Sequence, residues 1–269
     1  MTMSKSMQAT AHKKPLVVIK LGGSMLKQLS DAFIESLKEL MESKNIIFVH
    51  GGGPEINEML EKLQIKSEFY EGQRKTTAEV LEIAEMVLAG KMNKFLTTKL
   101  QKHHINALGL SGCDGQLIQA SFLNEKDLGF VGKVDDVNIS LLHALLDLAY
   151  IPVVAPLGKT NDGQTLNINA DVCAAAIAEK MQAEQLIFVT NVPGILKDGV
   201  LIEETSENFI YELIDKGIIY GGMIPKVKSA LQALSNSLKE VMIVSGNNPI
   251  IHNGKMLGTK ISKKQEVVV

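Results

Sequence analysis

Apolar and polar positions alternate along this chain in two rhythms. Short, largely apolar runs, most of them rich in β-branched residues, recur at Leu16–Lys20, Asn45–His50, Asn106–Leu110, Ile151–Pro156, Leu186–Thr190 and Val241–Val244. Between them, apolar residues return every three or four positions. Ser30 is placed to cap a helix whose apolar face is Phe33, Ile34, Leu37, Leu40 and Met41, and Pro54 suits the first turn of a helix carrying Ile56, Met59, Leu60 and Leu63. Thr76-Thr77-Ala78-Glu79 has the spacing of a capping box, opening a helix that ends near Gly90, with a second helix from about Lys91 to His103. Leu117–Phe122 and Phe130–Val137 read as short strands, Ile139–Leu148 as a helix, and Lys255–Ile261 as a terminal edge strand. An alanine-rich helix follows Asn169, and a later one follows Gly221-Gly222-Met223.

Runs buried on both faces and separated by helices imply an α/β fold: a three-layer α-β-α sandwich with a largely parallel central sheet. The expected organisation is a flexible tail over residues 1–14, an N-terminal lobe over 15–183 and a C-terminal lobe over 184–269. No repeat or low-complexity segment interrupts this order.

The 269 residues are 45% hydrophobic, enough for a large core. Mean hydropathy is +0.11, yet no run approaches the roughly 18 apolar residues that span a bilayer. A net charge of −2 lacks the basic face of a nucleic-acid binder. Two cysteines, Cys113 and Cys173, fit reduced thiols rather than a disulfide framework, and a cytoplasmic location is expected.

The candidate chemistry sits where strands end. Val17-Val18-Ile19-Lys20-Leu21-Gly22-Gly23-Ser24 sets a lysine and a glycine loop at a strand's carboxyl end, and Val49-His50-Gly51-Gly52-Gly53-Pro54 repeats the arrangement. In a parallel sheet such loops share one rim, where helix N-termini favour anions. Gly112, Gly115 and Gly194 follow later strands and are expected on the same rim. No Gly-x-x-x-x-Gly-Lys-Ser/Thr loop is present, nor a Gly-x-Gly-x-x-Gly fingerprint after the first strand. Lys20 is either a strand-end charge or an anion ligand. Lys226, in a helix's first turn, is either an ordinary lysine or a cation held against the helix dipole for a purpose. Asp171 and Asn169 are also what a helix start requires on its own account, and Arg74 is either a solvated loop charge or a carboxylate clamp. No histidine or cysteine spacing points to a metal site.

Five segments in order carry a resemblance: Val-Ile-Lys-Leu-Gly-Gly-Ser at 18–24, Val-His-Gly-Gly-Gly-Pro-Glu-Ile at 49–56, Gly-Gln-Arg-Lys-Thr at 72–76, Leu-Asn-Ile-Asn-Ala-Asp at 166–171 and Gly-Gly-Met-Ile-Pro-Lys-Val at 221–227. Over 16–261 the chain resembles the amino acid kinase family, and within it the acetylglutamate kinase branch. The resemblance implies transfer of a phosphoryl group from ATP, with Mg2+, to the γ-carboxylate of N-acetyl-L-glutamate in arginine biosynthesis. It implies Lys20 and Lys226 as the cations on the transferring group, with Asp171 holding both. It implies Gly52, Gly53, Arg74 and Asn167 as substrate contacts, and Gly22, Gly23, Asn191, Gly194, Leu196, Gly222 and Met223 as nucleotide contacts. It further implies that the N-terminal lobe, 15–183, binds the acetylamino-acid substrate and makes the dimer contact, that the C-terminal lobe, 184–269, binds the nucleotide, and that the chain is a homodimer, without arginine feedback, since residues 1–14 show no sustained apolar stripe. Four positions depart from the family's usual pattern: Gln73 and Lys75 flank Arg74 in place of apolar residues, Asn191 stands where an aspartate is common, and Tyr220 replaces a smaller residue. The alternatives are the homologous acetylaminoadipate as substrate, one methylene longer, and a catalytically silent sensor on the same fold.

Overall fold

The structure is a computed structural model that describes residues 14–221, 223–234 and 238–263. Its frame is one eight-stranded sheet. In chain order the strands are β1 (Leu16–Leu21), β2 (Asn45–His50), β3 (Ala107–Ser111), β4 (Ile151–Ala155), β5 (Gln185–Thr190), β6 (Glu204–Ser206), β7 (Glu240–Ser245) and β8 (Thr259–Ser262). Across the sheet they run β6-β8-β7-β5-β1-β2-β4-β3. Six are parallel; β8 turns antiparallel against β7, and β6 pairs parallel to β8. The expected terminal edge strand is therefore one place in from the edge, because β6 covers it. Lys255–Met256 belongs instead to a separate hairpin with Ile251–His252.

Strand periodicity sorts the interior into two cores. Val17, Ile19 and Leu21 point to one face, with Ile46, Phe48, Val153, Ile187 and Val189, and pack against the helices Asp31–Ser43, Gly53–Lys62 and Ala78–Glu85. Val18, Ile47, Val49, Leu186, Phe188 and Ile243 point to the other, under the helices Ala170–Lys180, Glu207–Asp215 and Met223–Ala233. These are the outer layers of the expected sandwich. Lys20 shares parity with Val18, so its side chain leaves the sheet on the Ala170–Lys180 side.

A second unit was not foreseen. Ile118–Phe122, Val131–Val137, Leu157–Lys159 and Thr165–Ile168 close into a four-stranded barrel. Two of its strands are the short ones expected at Leu117–Phe122 and Phe130–Val137; the others are only three and four residues long and lie beside a turn, too short to carry a periodic signal. Gly112 belongs to the junction between β3 and this barrel, where a Cβ would lie 1.8 Å from the Leu157 carbonyl oxygen. Packing explains that glycine.

Ser30 caps its helix as expected, its Oγ accepting from the Phe33 N–H at 3.0 Å. The capping box does not form. Thr77 is the cap, accepting from the Val80 N–H, and Thr76 is drawn into a bridge with Gly129. Nor does the helix stop at Gly90. Ala78–Glu85 continues through a π-helical stretch, Met86–Met92, into Asn93–Lys102. The wide turn brings Asn93 inward, where its amide donates to the carbonyl oxygens of Val153 (2.8 Å) and Leu110 (3.2 Å) and to His50 Nε2 (3.2 Å).

That network assigns the His50 proton to Nδ1, which donates to the Gly51 carbonyl at 3.0 Å. Burial pushes the imidazole pKa down to about 4. Above pH 6.5 the ring is neutral in both folded and unfolded chains. As pH falls from 6.5 towards 4, only the unfolded chain takes up the proton, so stability declines, by about 2 kcal/mol at pH 5 from this group. Urea unfolding at pH 7 and pH 5 should show that loss, and His50→Gln should remove it; an unchanged slope in the variant would assign the loss to other groups. Among the described residues, no helix is long and apolar enough to cross a membrane.

Candidate active site

β1 lies between β2 and β5, so the loops after all three strands meet at one rim. The Gly22-Gly23 loop enters a short helix, Gly23–Leu26, and the Gly51–Gly53 loop enters Gly53–Lys62 with Pro54 in its first turn. The two loops touch. A Cβ on Gly23 would lie 2.9 Å from Pro54 Cδ and 3.0 Å from the backbone nitrogens of Gly52 and Gly53. Beneath them, the π-helical stretch sets Leu88 against Gly52, where a Cβ would be 2.9 Å from Leu88 Cδ2. Two backbones approach this closely only because neither carries a side chain there.

The rim holds two adjoining cavities. The larger, about 330 Å³, is lined by Gly51–Gly53, Arg74, Asn167 and Ile168, among others. The smaller, about 90 Å³, is lined by Gly22, Thr190, Asn191, Lys226 and Ser229, among others. Lys20, Ser24 and Asp171 line both and form the wall between them.

Asn169 caps the helix Ala170–Lys180, its Oδ1 accepting from the N–H groups of Asp171 (2.8 Å) and Val172 (3.3 Å). This fixes Asp171 in the first turn, on the face to which Lys20 projects. Lys20 Nζ and Asp171 Oδ1 are 2.7 Å apart. The other carboxylate oxygen, Oδ2, accepts from Ser229 Oγ at 3.1 Å. Lys226 does not pair with Asp171, as the expectation of one acid holding both lysines required; its Nζ donates to Asn191 Oδ1 at 2.9 Å. Burial, and then the like charge of Lys20, hold the Lys226 ammonium below its ordinary pKa. Two cations thus converge on one carboxylate and one neutral amide, an arrangement suited to an added anion.

The hairpin of Phe69–Tyr70 and Gln73–Arg74 overhangs the larger cavity. The Arg74 guanidinium stacks on the Phe69 ring, 4.8 Å from its centroid, and donates to Ser67 Oγ, to Asn57 Oδ1 (2.6 Å) and to the Gly53 carbonyl oxygen (3.4 Å). Asn167, brought in by the barrel, donates through Nδ2 to Thr76 Oγ1 at 3.2 Å, and Thr76 donates in turn to the Arg74 carbonyl oxygen at 3.1 Å.

Other expected residues lie elsewhere. Gly194 lines neither cavity; a Cβ there would meet Thr259 Oγ1 at 2.5 Å, so it is a packing glycine beneath β8. Leu196 is exposed in a two-stranded ladder with Val200–Leu201. Met223 opens the helix that carries Lys226, and Gly222 lies outside the described residues. Gly112 and Gly115, expected on the rim, line neither cavity. Sequence reasoning missed Ser229 and Thr76. Ser229 was within reach, since a residue three positions after Lys226 shares its helix face. Among the described residues, no group of three or more histidine, cysteine or acidic side chains could hold a metal.

Residues 15–245 match the amino acid kinase family. The chain is 52% identical over 246 residues to acetylglutamate kinase of Geobacillus sp. (strain WCH70), covering 91% of this chain and 96% of that protein. Among solved structures, smu.665 from Streptococcus mutans UA159 superposes with a TM-score of 0.80 at 32% identity, over 93% of this chain and 99% of the other. Carbamate kinase from Giardia shares the fold, with a TM-score of 0.64 at 16% identity over 93% and 99% of the two chains.

Proposed function

Because this chain belongs to the amino acid kinase family, we propose that it transfers the γ-phosphoryl group of MgATP to the γ-carboxylate of N-acetyl-L-glutamate, the phosphorylation step of arginine biosynthesis. The observation that carries the reading is the shared wall of Lys20, Ser24 and Asp171 between a larger and a smaller cavity. Phosphoryl transfer needs donor and acceptor in line on opposite sides of the transferring phosphorus, with cationic groups beside its oxygens.

In this reading the acceptor occupies the larger cavity. Its reacting carboxylate lies at Gly52 and Gly53, at the start of Gly53–Lys62, where free N–H groups and the helix dipole favour an anion. Arg74 and Asn167 hold the rest of the molecule. The triphosphate enters from the smaller cavity over Gly22, Gly23 and Asn191, and the nucleoside lies towards Leu196, Gly222 and Met223, on the C-terminal lobe. A carboxylate oxygen attacks the γ-phosphorus, the bond to the β–γ bridging oxygen breaks, and ADP departs with that electron pair. The acceptor is already ionised at pH 7, so no base is required. Lys20 and Lys226 neutralise the oxygens of the group in flight, and Asp171 keeps Lys20 aimed. Mg2+ arrives with ATP and is held by its phosphates and water, in keeping with a rim that offers lysines, glycines and amides rather than spare carboxylates.

Incubation of the protein with N-acetyl-L-glutamate, MgATP and hydroxylamine should yield the acyl hydroxamate. Equal or better turnover of N-acetyl-2-aminoadipate would replace the substrate assignment, and no product at high enzyme concentration would favour a sensor. We read the active form as a cytoplasmic homodimer without arginine feedback. The exposed apolar residues Met86, Phe95 and Leu108, on neighbouring elements of one edge, support the dimer, and two free cysteines support the compartment. Light scattering with and without arginine checks the assembly.

A further inference from the structure

The helix Met223–Ala233 brings two polar side chains to the rim from one face, Lys226 and, three residues later, Ser229. Ser229 Oγ donates to Asp171 Oδ2 at 3.1 Å, while Asp171 Oδ1 faces Lys20 Nζ at 2.7 Å. Asp171 begins the helix Ala170–Lys180, which packs on β1, the strand of Lys20. The carboxylate therefore has one oxygen on the first lysine and the other on the helix that carries the second. Lys226 itself has turned to Asn191.

We propose that Ser229 is a positioning residue that ties the Lys226 helix to Asp171, so that the separation of the two lysines is set through Ser229 rather than by a direct bond between Asp171 and Lys226. The like charges of Lys20 and Lys226 repel before a phosphoryl group lies between them. A neutral amide at Asn191 orients Lys226 but offers no net charge to counter that repulsion. The Ser229 hydroxyl supplies the missing restraint at the backbone of the helix. It also fixes Asp171: with Oδ2 engaged, the carboxylate cannot rotate away from Lys20 without losing a charge-assisted hydrogen bond. Ser229 sits in mid-helix, where alanine is at least as favourable, so its removal tests position with little risk to the fold.

The kinetic part of the test rests on the kinase reading; the stability part does not. Ser229→Ala is expected to lower kcat about tenfold, the scale of a lost hydrogen bond to a charged group, with KM for N-acetyl-L-glutamate and for MgATP each within about twofold. Ser229→Thr, which keeps the hydroxyl, is expected to restore most of kcat. Thermal unfolding of Ser229→Ala, Asp171→Ala and the double variant needs no turnover. Ser229→Ala should lower the midpoint by about 2–4 °C in the parent chain and leave it unchanged where Asp171 is already alanine. Unchanged kcat in Ser229→Ala, a defect confined to KM, or strictly additive midpoints would overturn the proposal. Coupled midpoints in a protein without kinase activity would keep the tie and refute the reaction.

Discussion

Lys20→Ala should lower kcat by about 10²–10³-fold, and Lys226→Ala by a similar factor, with KM for N-acetyl-L-glutamate changed only a few-fold. The size follows from what each ammonium faces. A preorganised donor aimed at charge that develops in the transition state is worth about that much when removed. Lys20 is partly buried, its side chain 16% exposed, and already lies 2.7 Å from Asp171, so little reorganisation attends the proposed reaction. Neither variant should unfold. Asp171 keeps Ser229, and truncating Lys20 opens its buried Oδ1 to the larger cavity, so water can replace the lost cation. The double variant should fall well short of the product of the single effects, because in the proposed reaction the two lysines act on one group. The parent enzyme should also lose activity on the alkaline side earlier than an ordinary lysine would dictate, since burial and the Lys20 charge lower the pKa of Lys226. Steady-state kinetics across pH separates these outcomes. Single variants with unaltered kcat would remove both lysines from the chemistry.

The second large effect is expected from a single methyl group. Gly23→Ala places a Cβ within 2.9 Å of Pro54 Cδ and 3.0 Å of two backbone nitrogens, and backbone cannot move aside as a flexible side chain can. The loops after β1 and β2 must separate, which shifts Gly52 and Gly53 relative to Lys20. Misplacement on the order of 1 Å can cost about 10²-fold in rate, so kcat/KM should drop by at least that factor. Gly90→Ala is the matched control. A Cβ there meets nothing within 4 Å, and alanine is the better helix former, so activity should hold and stability should not fall. Equal activity in Gly23→Ala and the parent would mean that the two loops are free to part.

Much of this site was legible in the chain because it follows from short-range rules. The parity of Lys20 relative to Val18, the cap at Asn169 and the glycines at two strand ends are local facts, and a parallel sheet converts them into neighbours. What was not legible depended on tertiary choice. Thr76 satisfies the local pattern of a capping box, but burial beside Gly129 and Asn167 recruits its hydroxyl elsewhere, and Thr77 takes the cap. Gly90 looks like a helix terminator, yet the π-helical stretch carries the helix through it and turns Asn93 inward to His50. Gly112 and Gly194 resemble ligand loops, but each answers to a neighbouring chain segment packed too close for a side chain. The barrel escaped notice because two of its strands are too short to show alternation. The partner of Lys226 could not be read at all: Asp171 in a helix's first turn and Asn191 in a loop after β5 compete for one ammonium, and only the packing of its helix decides between them.

The order β5-β1-β2 has a consequence for the direction of the reaction. Neighbouring strands are about 4.8 Å apart, so the loops after β5 and β2 are separated by about 10 Å, with the Lys20 strand midway. On the proposed reaction, donor and acceptor then face each other across the strands, on the two sides of the Lys20 strand. The phosphoryl group would move across the grain of the sheet. In that direction the spacing is kept by the hydrogen-bond ladder, which any change of spacing must stretch. The two proposed binding sites are thus set apart by the backbone pitch, before any side chain is chosen.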